Sequence, residues 1–337
     1  MKKTKTPLHV AYFSMEFAVD HRIPNYAGGL GVLAADYMMA MADMEFSGVG
    51  VSLIYHLNED PKMGFDPSQF MKKLKETVTV QVEGRDVKVV LYEYLVKGKK
   101  KDTPIICLST NHPDNEPWDR DITRYLYSSH EYIRICQELM LGVGGVRALE
   151  VLGYDVEKYH MNEGHAAFLT LEMLKHLNYD EEAVKSKVCF TTHTPVPAGH
   201  DHFSYELAYQ VLGESMIPLN IRELATESDL SMTDLALNLS GTSNSVAEKH
   251  REVCSHMFPA YEFQNITNGI HHPRWATDPA QKLFNKHLRG WKTNPQKFKK
   301  ALSIPLEDIK VMSKANKKRF VEWFYNSYSG SSRARSF

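Results

Sequence analysis

Two short stretches carry residue types that could do chemistry. In "YHMNEGHAAF", Asn162, Glu163 and His165 follow an apolar run, and in "FTTHTPVPAGHD", Thr191, Thr192, His193 and Thr194 follow another. An asparagine side chain both donates and accepts hydrogen bonds, and histidine titrates near neutrality. Such a set can hold a polyol or move a proton near pH 7. A third stretch, "NYAGGLGVLAADYMMAMADM", puts Gly28, Gly29, Leu30 and Gly31 in front of a helix that is apolar on almost every side. Glycine allows positive φ and lets a ligand approach the main chain closely. The first N–H groups of a helix have no internal partner and carry partial positive charge, which suits phosphate. A fourth stretch, "QNITNGIHHPRWA", supplies Asn268, whose amide could bond a hydroxyl.

Taken singly, each stretch also reads as ordinary structure: a tight turn at the glycines, a helix cap and a satisfied histidine after Met161, an Asn-Gly turn at 268–269. GGLG has neither dinucleotide-fold nor P-loop spacing. His200 and His202 flank Asp201 as an HxH pair, a metal-hydrolase reading that lacks a third spaced ligand, so no metal site is expected. Glu16, Asp36 and Glu163 could pose as a glycosidase carboxylate pair, yet the amides, histidine and backbone donors suit holding a sugar and a phosphate better than activating water.

The elements that must position these residues alternate. "HVAYFSMEF" reads as a buried strand, followed by a helix through about Met44 and a second strand over 49–55. The region 77–96 alternates apolar and polar residues around Glu83-Gly84-Arg85, a hairpin pattern. "TPIICLST" is another strand, and one long helix is expected from about Asp121 to Leu152, with Gly142, Gly144 and Gly145 there for close packing. Strands end at "KYHMNE" and "KVCFTT", with the helix "GHAAFLTLEMLKHL" between them. Residues 203–291 read as helical with breaks, and a helix follows Pro305. Alternating buried strands and helices predict an α/β fold, a Rossmann-like doubly wound parallel sheet with ligands at the carboxyl ends of its strands. One lobe over 1–325 and a polar, disordered tail over 326–337 are expected.

The 337 residues are 43% hydrophobic and 24% charged, with a net charge of −1. That balance gives no field for nucleic acid or an anionic membrane surface. No run approaches the roughly 18 apolar residues of a membrane span. Cys107, Cys136, Cys189 and Cys254 are far apart and form no CxxC pair, which favours buried free thiols and a cytoplasmic location.

In combination the motifs are far more specific. "YFSMEF", "YAGGLGVLAADYMMAMADM", "RICQELMLGVGGVRALEVLG", "YHMNEGHAAF", "FTTHTPVPAGHD", "NSVAEKHREV" and "QNITNGIHHPRW" together resemble the α-glucan (glycogen and maltodextrin) phosphorylases, in particular their short bacterial and archaeal branch. The resemblance runs from about Leu8 to about Trp323. It implies the amino-terminal half of a two-lobe GT-B glycosyltransferase, in which phosphate cleaves a terminal α-1,4 glucosyl unit to α-glucose 1-phosphate with retention. It implies pyridoxal phosphate as cofactor. By position in the motifs, Gly28, Gly29, Leu30 and Gly31 match the loop at the phosphate and sugar, and His193 and Asn268 match the pair that reads the glucose 6-hydroxyl. Glu163 and His165 match residues lining the catalytic channel, with Glu16, Asn162 and Thr192 in support. The family's lysine motif, like "SGTxxMK", is not found. "LSGTSNSVAEKH" belongs to a different matching segment, so Lys249 is not the cofactor lysine. The resemblance therefore implies a lone lobe, inactive by itself, that is either a truncated gene remnant or completed by a separately encoded second lobe. The alternative is a non-catalytic glucan-binding protein of phosphorylase descent.

Overall fold

The computed structural model describes residues 6–56, 65–99 and 101–328. The chain packs as two compact units that divide between Gly269 and Ile270, inside the single lobe expected over 1–325.

The first unit is built on a nine-stranded sheet. Its strands are β1 (Thr6–Phe13), β2 (Gly48–Leu53), β3 (Lys72–Val82), β4 (Arg85–Val96), β5 (Thr103–Ser109), β6 (Tyr154–Asn162), β7 (Val188–Thr191), β10 (Thr242–Ser245) and β11 (Gln264–Asn265), while β8 (His202–Phe203) and β9 (Leu230–Ser231) form a separate pair. The order across the sheet is β11-β10-β7-β6-β1-β2-β5-β4-β3. Every pairing from β11 to β5 is parallel, and β3 and β4 add an antiparallel hairpin at one edge. This is a mixed, mostly parallel α/β sheet. Glu83 and Gly84 turn the hairpin with φ of 50° and 75°, the double positive φ that lets a two-residue turn follow strand twist.

The inner strands of the sheet are buried on both sides because they are apolar on both sides. All of β2 is buried. Along β1 and β5, Tyr12, Ile105 and Cys107 pack with Ala34 and Met38 of the helix Gly29–Asp43, whereas Phe13, Ile106 and Leu108 pack with Leu139, Leu141 and Val146 on the other face.

The long helix expected over 121–152 is broken. A short 3-10 turn covers Asp121–Thr123, helix resumes at Glu131–Leu139, a π-helical turn covers Met140–Gly144, and Gly145–Val151 closes it. The glycines do allow close approach. A Cβ at Gly142 would lie 2.5 Å from the Leu169 nitrogen, and one at Gly145 would lie 2.5 Å from Phe13 Cε1. The stretch 203–291, read as helical, also holds β9, β10 and β11.

The second unit packs Leu283, Leu288, Trp291 and Ile304 into a small core between the helices Asp278–His287 and Leu306–Tyr328. Trp291 Nε1 donates to Asn285 Oδ1 at 2.9 Å. Residues 326–328, expected as tail, continue the last helix, and 329–337 lie outside the described residues. Among the described residues no helix is long and apolar enough to cross a membrane. The four cysteines are free; Cys107, Cys136 and Cys254 are buried and Cys189 is half-buried, where burial of all four was expected.

Candidate functional site

The sheet order changes direction at β1. From β1 the chain builds outward through β2 and β5 on one side and through β6, β7 and β10 on the other. A crevice at the carboxyl ends is the usual ligand position at such a switch. There β1 delivers Ser14 and Glu16, β6 delivers Asn162 and Glu163, and β7 delivers Thr191 to Thr194. Parallel register aligns Phe13 with Met161 and Asn162 with Thr191.

A directional chain of hydrogen bonds joins the three ends. Ser14 Oγ donates to the Glu16 carbonyl at 2.9 Å, Asn162 Nδ2 donates to Ser14 Oγ at 3.0 Å, and Asn162 Oδ1 meets His193 Nε2 at 2.7 Å. Glu163 secures the next loop. Its Oε1 accepts from the Thr192 hydroxyl at 3.1 Å, from the Thr194 N–H at 3.1 Å, and from the His193 N–H. Glu163 itself has φ 72° and ψ 169°, a conformation that non-glycine residues adopt only when their surroundings impose it. Its own N–H donates to the Thr191 carbonyl at 2.9 Å. Burial holds His193 below the ordinary histidine range, against the opposing pull of Glu163.

Glu16 secures the glycine stretch in the same way. Its Oε2 accepts from the N–H groups of Ala27 at 2.6 Å and Gly28 at 3.3 Å, and its Oε1 accepts from the Tyr127 hydroxyl at 3.0 Å. The helix begins at Gly29, so Leu30 and Gly31 lie inside its first turn rather than in a loop before it. The glycines do not supply positive φ: Gly28 is extended at φ −153°. They supply space. Nothing stands within 4 Å of a Cβ added at Gly28 or Gly29, and the helix has no side-chain cap. Gly31 points the other way; a Cβ there would lie 2.9 Å from Glu16 Oε2 and 2.9 Å from Tyr26 Cβ.

A second, buried network lies behind. Arg134 donates through Nε to Glu138 Oε1 at 3.0 Å and through a terminal nitrogen to Asp201 Oδ2 at 2.7 Å. His165 Nε2 is 3.5 Å from the same Asp201 oxygen, and its ring lies 5.6 Å from that of Tyr127. Burial, reinforced by Arg134, lowers His165 to about 4, so the ring is neutral at pH 7. Burial and the Asp201 charge push the Glu138 carboxyl well up. Burial works against ionisation of Asp201 too, but Glu138, His165 and Arg134 together hold it below the usual carboxylate range.

The structure thus brings together Glu16, Gly28, Asn162, Glu163, Thr192 and His193, with His165 one network behind. Asn268 is not joined to them. It lies on an exposed stretch after β11, its N–H donated to the Val246 carbonyl at 3.0 Å. His200 and His202 diverge: His200 Nδ1 bonds Thr233 Oγ1 at 2.8 Å, and His202 Nδ1 bonds Asp229 Oδ1 at 3.0 Å. Among the described residues no three His, Cys, Asp or Glu side chains are placed to share a metal. Sequence reasoning missed the roles of Ser14, Tyr127, Arg134 and Glu138. The i,i+4 spacing of Arg134 and Glu138 was a local signal for that pair, but the contacts that tie these residues to the site, Asn162 to Ser14, Tyr127 to Glu16 and Arg134 to Asp201, join residues distant in the chain.

No protein-family model matches the chain. Among curated proteins it is 32% identical over 323 residues to the maltodextrin phosphorylase of Thermococcus litoralis, an alignment covering 84% of this chain and 38% of that protein. It is 31% identical to the glycogen phosphorylase of Mycobacterium tuberculosis, covering 84% of this chain and 39% of the relative. It is 28% identical to the glycogen phosphorylase of Aquifex aeolicus, covering 83% and 46%. The chain therefore spans less than half the length of these relatives.

Proposed function

From the premise that this chain is homologous to the glycogen and maltodextrin phosphorylases, we propose that it is the glucosyl-holding lobe of an α-1,4-glucan phosphorylase. In this reading it is the Rossmann-like amino-terminal half of a GT-B enzyme that phosphorolyses terminal glucosyl units to α-glucose 1-phosphate with retention. The substrates are an α-1,4 glucan and inorganic phosphate, and the compartment is the cytoplasm. The observation that carries the reading is the convergence of an amide-held His193 and the glycine stretch tied to Glu16 at one sheet switch point.

Each residue acts by holding. His193 accepts a hydroxyl of the terminal glucose; Asn268, exposed after β11, is given a share of that hydroxyl by the family resemblance alone. Glu163 fixes the His193 backbone and Asn162 fixes its ring. Glu16 fixes Ala27 and Gly28, so the free N–H groups that open the helix at Gly29 and Leu30 are the ones left for an anion. The Glu16 and Glu163 carboxylates are each engaged by several donors, which suits them to positioning rather than to activating water as a glycosidase pair.

Pyridoxal phosphate, when bound, supplies a phosphate group that assists proton transfer. The residues here fit that phosphate: an uncapped helix start with open space over Gly28 and Gly29. Lys249 does not fit the covalent end; it is exposed on the helix Glu248–Met257 and paired with Glu252. The lysine and the groups that grip substrate phosphate are assigned to a second lobe, separately encoded or contiguous. The same observation supports a second reading, a non-catalytic glucan-binding protein derived from a phosphorylase.

Calorimetry with maltoheptaose and assay of glucose 1-phosphate separate these outcomes. Binding by the wild-type chain that is lost in His193→Ala supports the site. Product on adding a complementary lobe marks the enzyme, and binding without product under every complementation marks the non-catalytic protein. No binding at millimolar maltoheptaose sinks both.

A further inference from the structure

Ser14 and Asn162 are both fully buried at the junction of β1 and β6, and each hydrogen bond they make has a forced direction. The Ser14 hydroxyl has one proton, and it goes to the Glu16 carbonyl at 2.9 Å. The Ser14 oxygen is therefore an acceptor for Asn162, and the atom facing it at 3.0 Å is the amide nitrogen. That orientation turns Asn162 Oδ1 toward His193 Nε2 at 2.7 Å. An amide oxygen only accepts, so Nε2 carries the proton. A reversed chain would take the Ser14 proton away from the Glu16 carbonyl. In the neutral imidazole the lone pair is then on Nδ1.

We propose that Ser14 and Asn162 form a tautomer-setting relay that holds His193 as the Nε2–H form and presents Nδ1 as a hydrogen-bond acceptor to a hydroxyl of a polyol ligand. Ser14 and Asn162 are positioning residues; only His193 touches the ligand. That the hydroxyl belongs to a glucan rests on the function proposed above, whereas the tautomer does not. The relay starts on β1, whose continuation holds Gly28 through Glu16 two residues after Ser14. One strand end thus sets both the hydroxyl acceptor and the geometry of the glycine stretch. The Glu163 clamp on the His193 N–H fixes the backbone from which the ring projects, so the ring is held at both ends.

The test is long-range proton–nitrogen correlation on the chain labelled with ¹⁵N-histidine, above neutral pH. His193 is expected to show a protonated Nε2 and an unprotonated Nδ1. A proton on Nδ1, or two tautomers in exchange, overturns the proposal. Asn162→Asp, which keeps an acceptor facing Nε2, is expected to retain this pattern. Asn162→Leu and Ser14→Ala are expected to lose it while the backbone spectrum stays dispersed; an unchanged pattern in a folded Asn162→Leu also overturns it. If Asn162→Leu does not fold, the wild-type and Asn162→Asp spectra decide. Maltoheptaose is then titrated. A shift concentrated at Nδ1 supports the acceptor role. No shift at either nitrogen overturns the ligand half of the proposal and the glucan reading, while the wild-type tautomer is judged by its own spectrum.

Discussion

Glu163 shows how one side chain can look catalytic in sequence and act as a clamp in space. Its carboxylate gathers the donors of residues 192 to 194 while its backbone sits at positive φ. Glu163→Ala leaves those donors without an acceptor, and a stability loss of roughly 1–3 kcal/mol is expected in urea unfolding, together with weaker maltoheptaose binding. The neighbouring histidines make a separate, pH-linked prediction. His160, bonded to Thr191 Oγ1 at 2.7 Å, and His165 are each lowered to about 4 by burial, reinforced by His193 and by Arg134 respectively. Their folded values lie below the roughly 6.5 of a free histidine, so between those limits the unfolded chain binds more protons. Their contribution is full above about pH 6.5 and falls as pH drops toward 4, by up to about 1.4 kcal/mol per pH unit for each ring. Unfolding midpoints measured across that window check the sign; stability that rises on acidification would contradict it. The motif residues were legible because they sit side by side in sequence. Tyr127 and Arg134 were not, because Tyr127 reaches Glu16 across 111 residues and Arg134 reaches Asp201 across 67.

At the scale of elements, the glycines divide by what a side chain would meet. Gly145→Ala drives a methyl to 2.5 Å from Phe13 Cε1 and 2.8 Å from Val51 Cγ1, and overpacking of about 1–3 kcal/mol is expected. Gly28→Ala meets nothing and has an ordinary φ. Its melting temperature is expected to stay near that of the wild type while phosphate and glucan contacts weaken, which thermal melts and calorimetry measure separately. The buried strands were legible from their apolar runs. The strands β10 and β11 were not, because "TSNS" and "QN" carry no hydrophobic signal and are fixed by main-chain pairing to a neighbour. The helix expected over 121–152 is interrupted at 124–130, where Tyr127 takes φ 53° and its hydroxyl reaches back to Glu16. Periodicity carries through "ELMLGVGGVRALEV", but it does not register the switch to π-helical bonding at Met140–Gly144 where the backbone meets Leu169.

The whole chain comprises two units with separate cores, which a reading of sequence as one lobe did not divide. Trp291 is 1% exposed at the centre of the second core. Trp291→Ala is expected to destabilise that unit by about 3–5 kcal/mol and to leave the unfolding of the first unit unchanged, giving two resolved transitions in calorimetry. The sheet order has a further consequence, during synthesis. The central strand β1 leaves the ribosome well before its neighbour β6 is made; Ser14 and Asn162, at their ends, are 148 residues apart. At about 5–20 residues per second the nascent chain waits roughly 7–30 s with one edge of an apolar parallel strand uncovered. In that interval β2 and the β3–β5 meander can assemble, but the other side of β1 stays open to any strand that reaches it first. Ribosome-bound chains arrested shortly before Tyr154 should therefore recruit chaperones, and those arrested well beyond Thr191 should release them.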